Sequence, residues 1–96
     1  MAHYIVLMNW TEQGIKSVKD APARLDKARK AAKKKGVKIE EAYLTIGAYD
    51  MVFHAEADSD EKLATFLLMQ GSAGNIRTTT LKAFDEAAYR KIVKGV

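Results

Sequence analysis

The sequence predicts an α+β fold of the ferredoxin-like type, a βαββαβ antiparallel sheet with helices on one face and a short helix at the C-terminus. Three observations carry that prediction: four apolar segments of strand composition, two long segments of helical periodicity, and a Gly-containing turn between the second and third strands. With 96 residues the chain is expected to form a single domain, 1–96. So short a chain buries its apolar surface alone only with difficulty.

The first strand is His3 to Trp10, rich in Tyr, Ile and Val and free of Gly and Pro. Both of its alternating sets are apolar, Tyr4, Val6, Met8 and Trp10 against Ile5 and Leu7, so both faces of the sheet need cover. Thr11 caps a short helical turn. Asp20 then precedes Ala21 and Pro22, which puts Pro in the first turn of a helix, where its missing N–H costs nothing. That helix runs to Lys35 with Ala21, Leu25, Ala28 and Ala32 on one stripe, and Gly36 stops it.

Val37 to Ile46 is the second strand, with Val37, Ile39, Glu41 and Tyr43 on one face. Gly47 to Asp50 turns the chain into the third strand, Met51 to Ala57. Asp58 and Glu61 have capping-box spacing, and Leu63, Phe66, Leu67 and Gln70 stripe the second long helix. Gly71 to Gly74 break it. Ile76 to Phe84 is the fourth strand, and Asp85 caps a last helix ending near Val93. Right-handed crossovers make the first and third strands central and the other two edges. The uncovered face then needs a partner, most simply a second copy, so a homo-oligomer, a dimer or higher, is expected.

Charge and composition narrow the function. Sixteen Lys and Arg against 12 Asp and Glu leave a formal +4, too little for a nucleic-acid binder. The basic run Arg24 to Lys38 lacks interleaved aromatics and reads as a solvated helix face. Without cysteine, disulfides, thiolate metal sites and a cysteine nucleophile are excluded. The apolar run at the N-terminus is too short for a secretory core or a membrane span, so a cytoplasmic location without a membrane partner is expected.

In this topology one sheet edge collects the end of the first strand, the hairpin and the start of the fourth strand. Trp10, Thr11, Tyr43, Asp50, Asn75 and Arg77 converge there, with Arg24 in reach. Such a cluster suits a small anionic or carbonyl-bearing ligand, with Arg77 as bidentate anchor, Asn75 as donor, and Tyr43 and Trp10 as walls. Small-molecule binding is therefore the expected role. A cofactor-free isomerase or oxygenase-like enzyme is one alternative, with Asp50, Tyr43 and His54 the residues able to move a proton. The other is a ligand-free assembly module, in which Gly47 and Asp50 merely build the turn and Arg77 neutralises Asp50. No cofactor is expected. Nor is a metal, because His3 and His54 have no carboxylate at ligand spacing along the sequence. Gly71 to Asn75 leads from helix to strand, the wrong order for a phosphate loop.

Three blocks, "YIVLMNWTEQGIK", "YLTIGAYDMVFHAEA" and "GSAGNIRTTTLKAF", resemble the GYD domain family over nearly the whole chain. The resemblance implies a ferredoxin-like domain akin to the dimeric α+β barrels, whose members include oxygenases, isomerases and effector-binding domains. It implies no single activity. The matching residues are Thr11, Gly14, Arg24, Tyr43, Gly47, Asp50, Gly74, Asn75, Arg77 and Thr79, whereas His54 lies outside the family pattern.

Overall fold

A computed structural model describes residues 1–96. The elements are β1 (Ala2–Trp10), α1 (Glu12–Lys16), a 3-10 turn (Val18–Asp20), α2 (Ala21–Lys34), β2 (Val37–Leu44), β3 (Met51–Ala57), α3 (Asp60–Ser72), β4 (Ile76–Ala83) and α4 (Glu86–Lys94). One antiparallel sheet runs in the order β2-β3-β1-β4. The central and edge strands are those that crossover handedness dictates.

Strand alternation divides the sheet into two unlike faces. Tyr4, Val6 and Met8 of β1 and Phe53, Ala55 and Ala57 of β3 are buried against Ala32 of α2 and Leu63 and Phe66 of α3. The opposite parity, Ile5, Leu7, Val52 and Leu81, carries no helix and contributes no buried residue. All the hydrophobic burial lies on the helix side.

Four local expectations are corrected. In β2, Ile39 pairs with Ala55 but Ala42 pairs with Phe53, so one extra residue bulges between them. The bulge sends Ala42 to the core in place of Glu41 and turns Tyr43 to the open face. Arg29 of α2 donates to the Glu40 carbonyl at 3.1 Å, satisfying the acceptor that the bulge takes out of the ladder. The strand itself ends at Leu44, short of Ile46. The cap of α3 is Ser59, whose hydroxyl accepts from the Lys62 amide at 3.2 Å, while the Asp58 carboxylate is taken by Lys62 Nζ at 3.1 Å. Asp20 makes no side-chain cap, because the 3-10 turn feeds straight into α2. At the last helix Asp85 does cap as expected, accepting from the Ala88 amide at 2.8 Å.

The molecule is elongated, 48 × 31 × 18 Å, with a radius of gyration of 14.3 Å. A compact chain of this length has about 12.5 Å. Part of the excess is α4, which follows β4 away from the body and has no buried residue. Its Tyr89, Ile92 and Val93 are all exposed.

Candidate functional site

The polar residues that the topology gathers at the hairpin edge are largely engaged with one another and with backbone. Thr11 starts α1, its hydroxyl accepting from the Gly14 amide at 3.1 Å and donating to the Gly74 carbonyl. The Thr11 amide donates to the Asn75 carbonyl at 3.0 Å, and Gln13 Nε2 donates to the Asn75 side chain at 3.0 Å. Gly14 lies so close to this strand that a Cβ there would sit 2.0 Å from the Asn75 carbonyl oxygen. Arg24 extends over the same turn and donates to the Ser17 and Gly14 carbonyls at 3.0 and 3.3 Å. Together these contacts tie α1, the start of β4 and the start of α2 into one knot.

Asp50 belongs to the hairpin in a similar way. Its Oδ2 accepts from the Trp10 amide at 3.0 Å, and its own amide donates to the Met8 carbonyl at 2.9 Å. The carboxylate thereby continues the hydrogen bonding of β1 past the end of its ladder. Gly47 provides the positive φ of +143° that the turn needs. Asp50 and Arg77 form no ion pair, so the neutralisation expected for an assembly module is absent.

Beside the knot, a cleft of about 290 Å³ opens between α2, α3 and the sheet. Its cause is the composition of α2, whose inward positions Ala21, Ala28 and Ala31 are too short to fill the space above Met51 and Phe53. Trp10, Arg24 and Asn75 line it, whereas Thr11, Tyr43, Asp50 and Arg77 do not. The lining is mainly apolar, and no buried side-chain polar atom in the molecule lacks a partner. The Arg24 guanidinium is already bonded to carbonyls, which leaves the cleft better matched to an apolar molecule than to an anion.

Tyr43, Arg77 and Thr79 lie on the other side of the sheet. One row across the strands reads Tyr43, Val52, Leu7, Thr79, and the next towards the hairpin pairs Asn9 with Arg77. All three are exposed, and Tyr43 and Arg77 have no hydrogen-bonding side-chain partner within the chain. The motif residues thus divide into an inward knot and an outward row.

At the opposite end of the open face stands a group that the sequence reading missed. His3 Nδ1 and His54 Nε2 are 3.0 Å apart with their rings stacked, and Glu56 Oε1 is 3.5 Å from His3 Nδ1. Asp85 Oδ2 faces the other nitrogen of His3 at 3.7 Å. The carboxylate sought along the sequence is supplied by strand pairing, since His3 lies opposite Glu56 and His54 is two residues before it. Alternation of His54 and Glu56, read against the register of β1, is the signal that locates this group.

Known proteins place this architecture. A relative from Thermus thermophilus, the glutamine synthetase and cystathionine beta-lyase binding protein, is 30% identical over 88 residues, 91% of this chain and 93% of its own length. The crystal structure of MtbAldR superposes with a TM-score of 0.69 at 16% identity over 88% of this chain, which spans about half of that protein, 52%. That of FFRP-DM1 gives 0.61 at 22% identity, covering 88% of this chain and all of the other. These neighbours share the ferredoxin-like fold of the dimeric α+β barrels. The GYD domain model matches residues 4–93, the span that holds both the knot and the open face, and the chain belongs to the GYD domain family.

Proposed function

We propose that this chain is a homo-oligomeric protein-binding domain of the cytoplasm, whose open sheet face is closed by a second copy and whose remaining exposed apolar elements dock an enzyme. The observation that carries it is surface. The chain exposes 6610 Å², against about 5,500 Å² for a folded monomer of this mass. The excess, about 1,100 Å², resembles the roughly 800 Å² that each partner hides in a stable interface. Ile5, Leu7, Val52 and Leu81 supply the apolar centre, with Tyr43 and Arg77, residue types enriched at interfaces, beside it. The enzyme-docking part rests on the relative that is a glutamine synthetase and cystathionine beta-lyase binding protein. In this chain, α4 and the hairpin tip, where Leu44 and Ile46 are exposed, remain for such a partner.

The test is sedimentation equilibrium together with binding of purified glutamine synthetase and cystathionine beta-lyase. A dimer mass or higher, reduced to the monomer by Val52→Lys, supports closure of the open face. Binding of either enzyme that is lost in Ile92→Asp supports docking through α4. A monomer that binds neither enzyme overturns the reading.

The cleft favours a second reading, small-molecule binding. Its 290 Å³ lies just below the roughly 300 Å³ at which ligand pockets begin. An apolar phenol or quinone would enter beside Trp10 with its polar end toward Asn75. A thermal-shift increase with such a compound, abolished by the filling substitution Ala28→Leu, supports this reading; no increase across those classes removes it.

A further inference from the structure

We propose that His3, His54 and Glu56 form a binding site for a transition-metal dication of the zinc type, ligated by His3 Nδ1, His54 Nε2 and a Glu56 carboxylate oxygen. The three ligand atoms lie within 4.8 Å of one another. Zinc bonds of about 2.0–2.1 Å in tetrahedral geometry separate neighbouring ligand atoms by about 3.3 Å. The observed 3.0 Å between the imidazole nitrogens and 3.5 Å from His3 to Glu56 bracket that value. Receiving the ion is a matter of side-chain rotation on a backbone already paired.

The backbone holds the donors ready. They come from two paired central strands, with His3 opposite Glu56 and Ile5 opposite His54, so neither folding nor loop ordering has to accompany binding. Behind the ligands, Asp85 faces the second nitrogen of His3 at 3.7 Å. Brought within hydrogen-bond distance by a small rotation, a carboxylate there would fix the tautomer that leaves Nδ1 free for metal and raise its basicity. Electrostatics favour a dication as well. Glu56, Glu40 and Asp85 lie around the two imidazoles, and Lys38, paired with Glu40 at 3.2 Å, is the cation beside them.

The side chains of His3 and Glu56 retain 26% and 24% of their exposure. An ion therefore has a route in, and a fourth position stays open for water. Two imidazoles select zinc, cobalt, nickel or copper over magnesium and calcium. The plainer account is a histidine pair sharing one hydrogen bond across two strands. It explains the 3.0 Å contact but not the Glu56 carboxylate oxygen 3.5 Å from the same nitrogen. The site is complete within one chain and stands apart from the enzyme-docking proposal.

Cobalt(II) is the direct probe, because its visible absorption reports tetrahedral nitrogen and oxygen ligation. Chelator-treated full-length protein is titrated with Co²⁺ and then with Zn²⁺. The expected result is a tetrahedral band saturating at one ion per chain, displaced by Zn²⁺ and not by Mg²⁺. Glu56→Gln, which preserves size, and His54→Ala abolish the band in variants whose circular dichroism is unchanged. Asp85→Asn weakens binding by about 10-fold or more without changing the stoichiometry. Absence of the band in the wild-type protein, or its survival in folded His54→Ala and Glu56→Gln variants, overturns the proposal.

Discussion

On the helix side of the sheet, Tyr4, Val6 and Met8 of β1 are 3%, 0% and 6% exposed, whereas on the other side Leu81 keeps 51% of its surface. The two faces share the same strands and the same hydrogen bonds. What separates them is cover, because α2 and α3 both pack on one face. A residue on the covered face is held by what this chain contains. On the open face, the apolar row has no covering element within the chain, and the His3–His54–Glu56 group keeps part of its surface exposed. The same division runs through the family motif, between the satisfied knot at Thr11, Gly14 and Asn75 and the unpartnered row at Tyr43 and Arg77.

The strongest way to break this contrast is to truncate one residue on each face. Phe66 is 2% exposed and fills the space between α3 and the sheet. Phe66→Ala should lose about 3–5 kcal/mol in urea unfolding. Leu81→Ala should stay within about 0.5 kcal/mol when the protein is dilute enough to be monomeric. Equal losses would show that the open face is as much a core as the covered one.

A somewhat smaller effect separates the knot from the outward row. Gly14→Ala puts a methyl group 2.0 Å from a backbone oxygen that cannot move without dragging β4. A loss of about 3 kcal/mol is expected, at the upper end of ordinary overpacking. Tyr43→Ala should leave the melting temperature of the monomer almost unchanged. Asp50→Ala comes next. It strips the Trp10 amide of its acceptor and should cost about 2 kcal/mol, while Arg77→Ala costs little because the two do not pair. If Asp50→Ala and Arg77→Ala were equally destabilising, and non-additive when combined, an ion pair between them would have to be restored to the account.

Element order, strand placement and the apolar character of both faces of β1 were legible in the sequence, because each follows from the pattern within single segments. What crosses between segments was not. The bulge at Glu40 and Glu41 is stabilised by Arg29 from another element, so period-2 reading carried Glu41 and Tyr43 onto the wrong face. Asp58 and Ser59 are both good caps, and only the reach of Lys62 decides between them. At the hairpin edge, sequence correctly predicted that polar groups converge. It could not show that Thr11, Asp50, Asn75 and Arg24 spend their hydrogen bonds on each other and on backbone, which removes most of the polar anchors an anionic ligand requires.

The subtlest test of the comparison is a latch on the covered face that titrates. The Tyr4 hydroxyl, at the end of a buried ring, donates to Asp60 Oδ1, and Lys82 Nζ bonds the same carboxylate at 3.1 Å. Burial, followed by the Asp60 hydrogen bond, raises the Tyr4 pKa from 10 to about 12. The hydrogen bond from Tyr4, followed by that from Lys82, lowers the pKa of Asp60 below 3.8. A raised folded-state value means that the Tyr4 contribution is complete below pH 10 and disappears as the pH climbs through about 12. A lowered one means that the Asp60 contribution is present above pH 3.8 and disappears as acid carries the pH through its folded value. Melting temperature against pH should therefore fall at both extremes. In Tyr4→Phe the tyrosine part of the alkaline fall should vanish and the acid fall should shrink, with Lys82 left as the remaining partner of Asp60. An unchanged pH profile in Tyr4→Phe would mean that the ring is held by packing alone, and that the covered face owes nothing to its one buried-to-surface hydrogen bond.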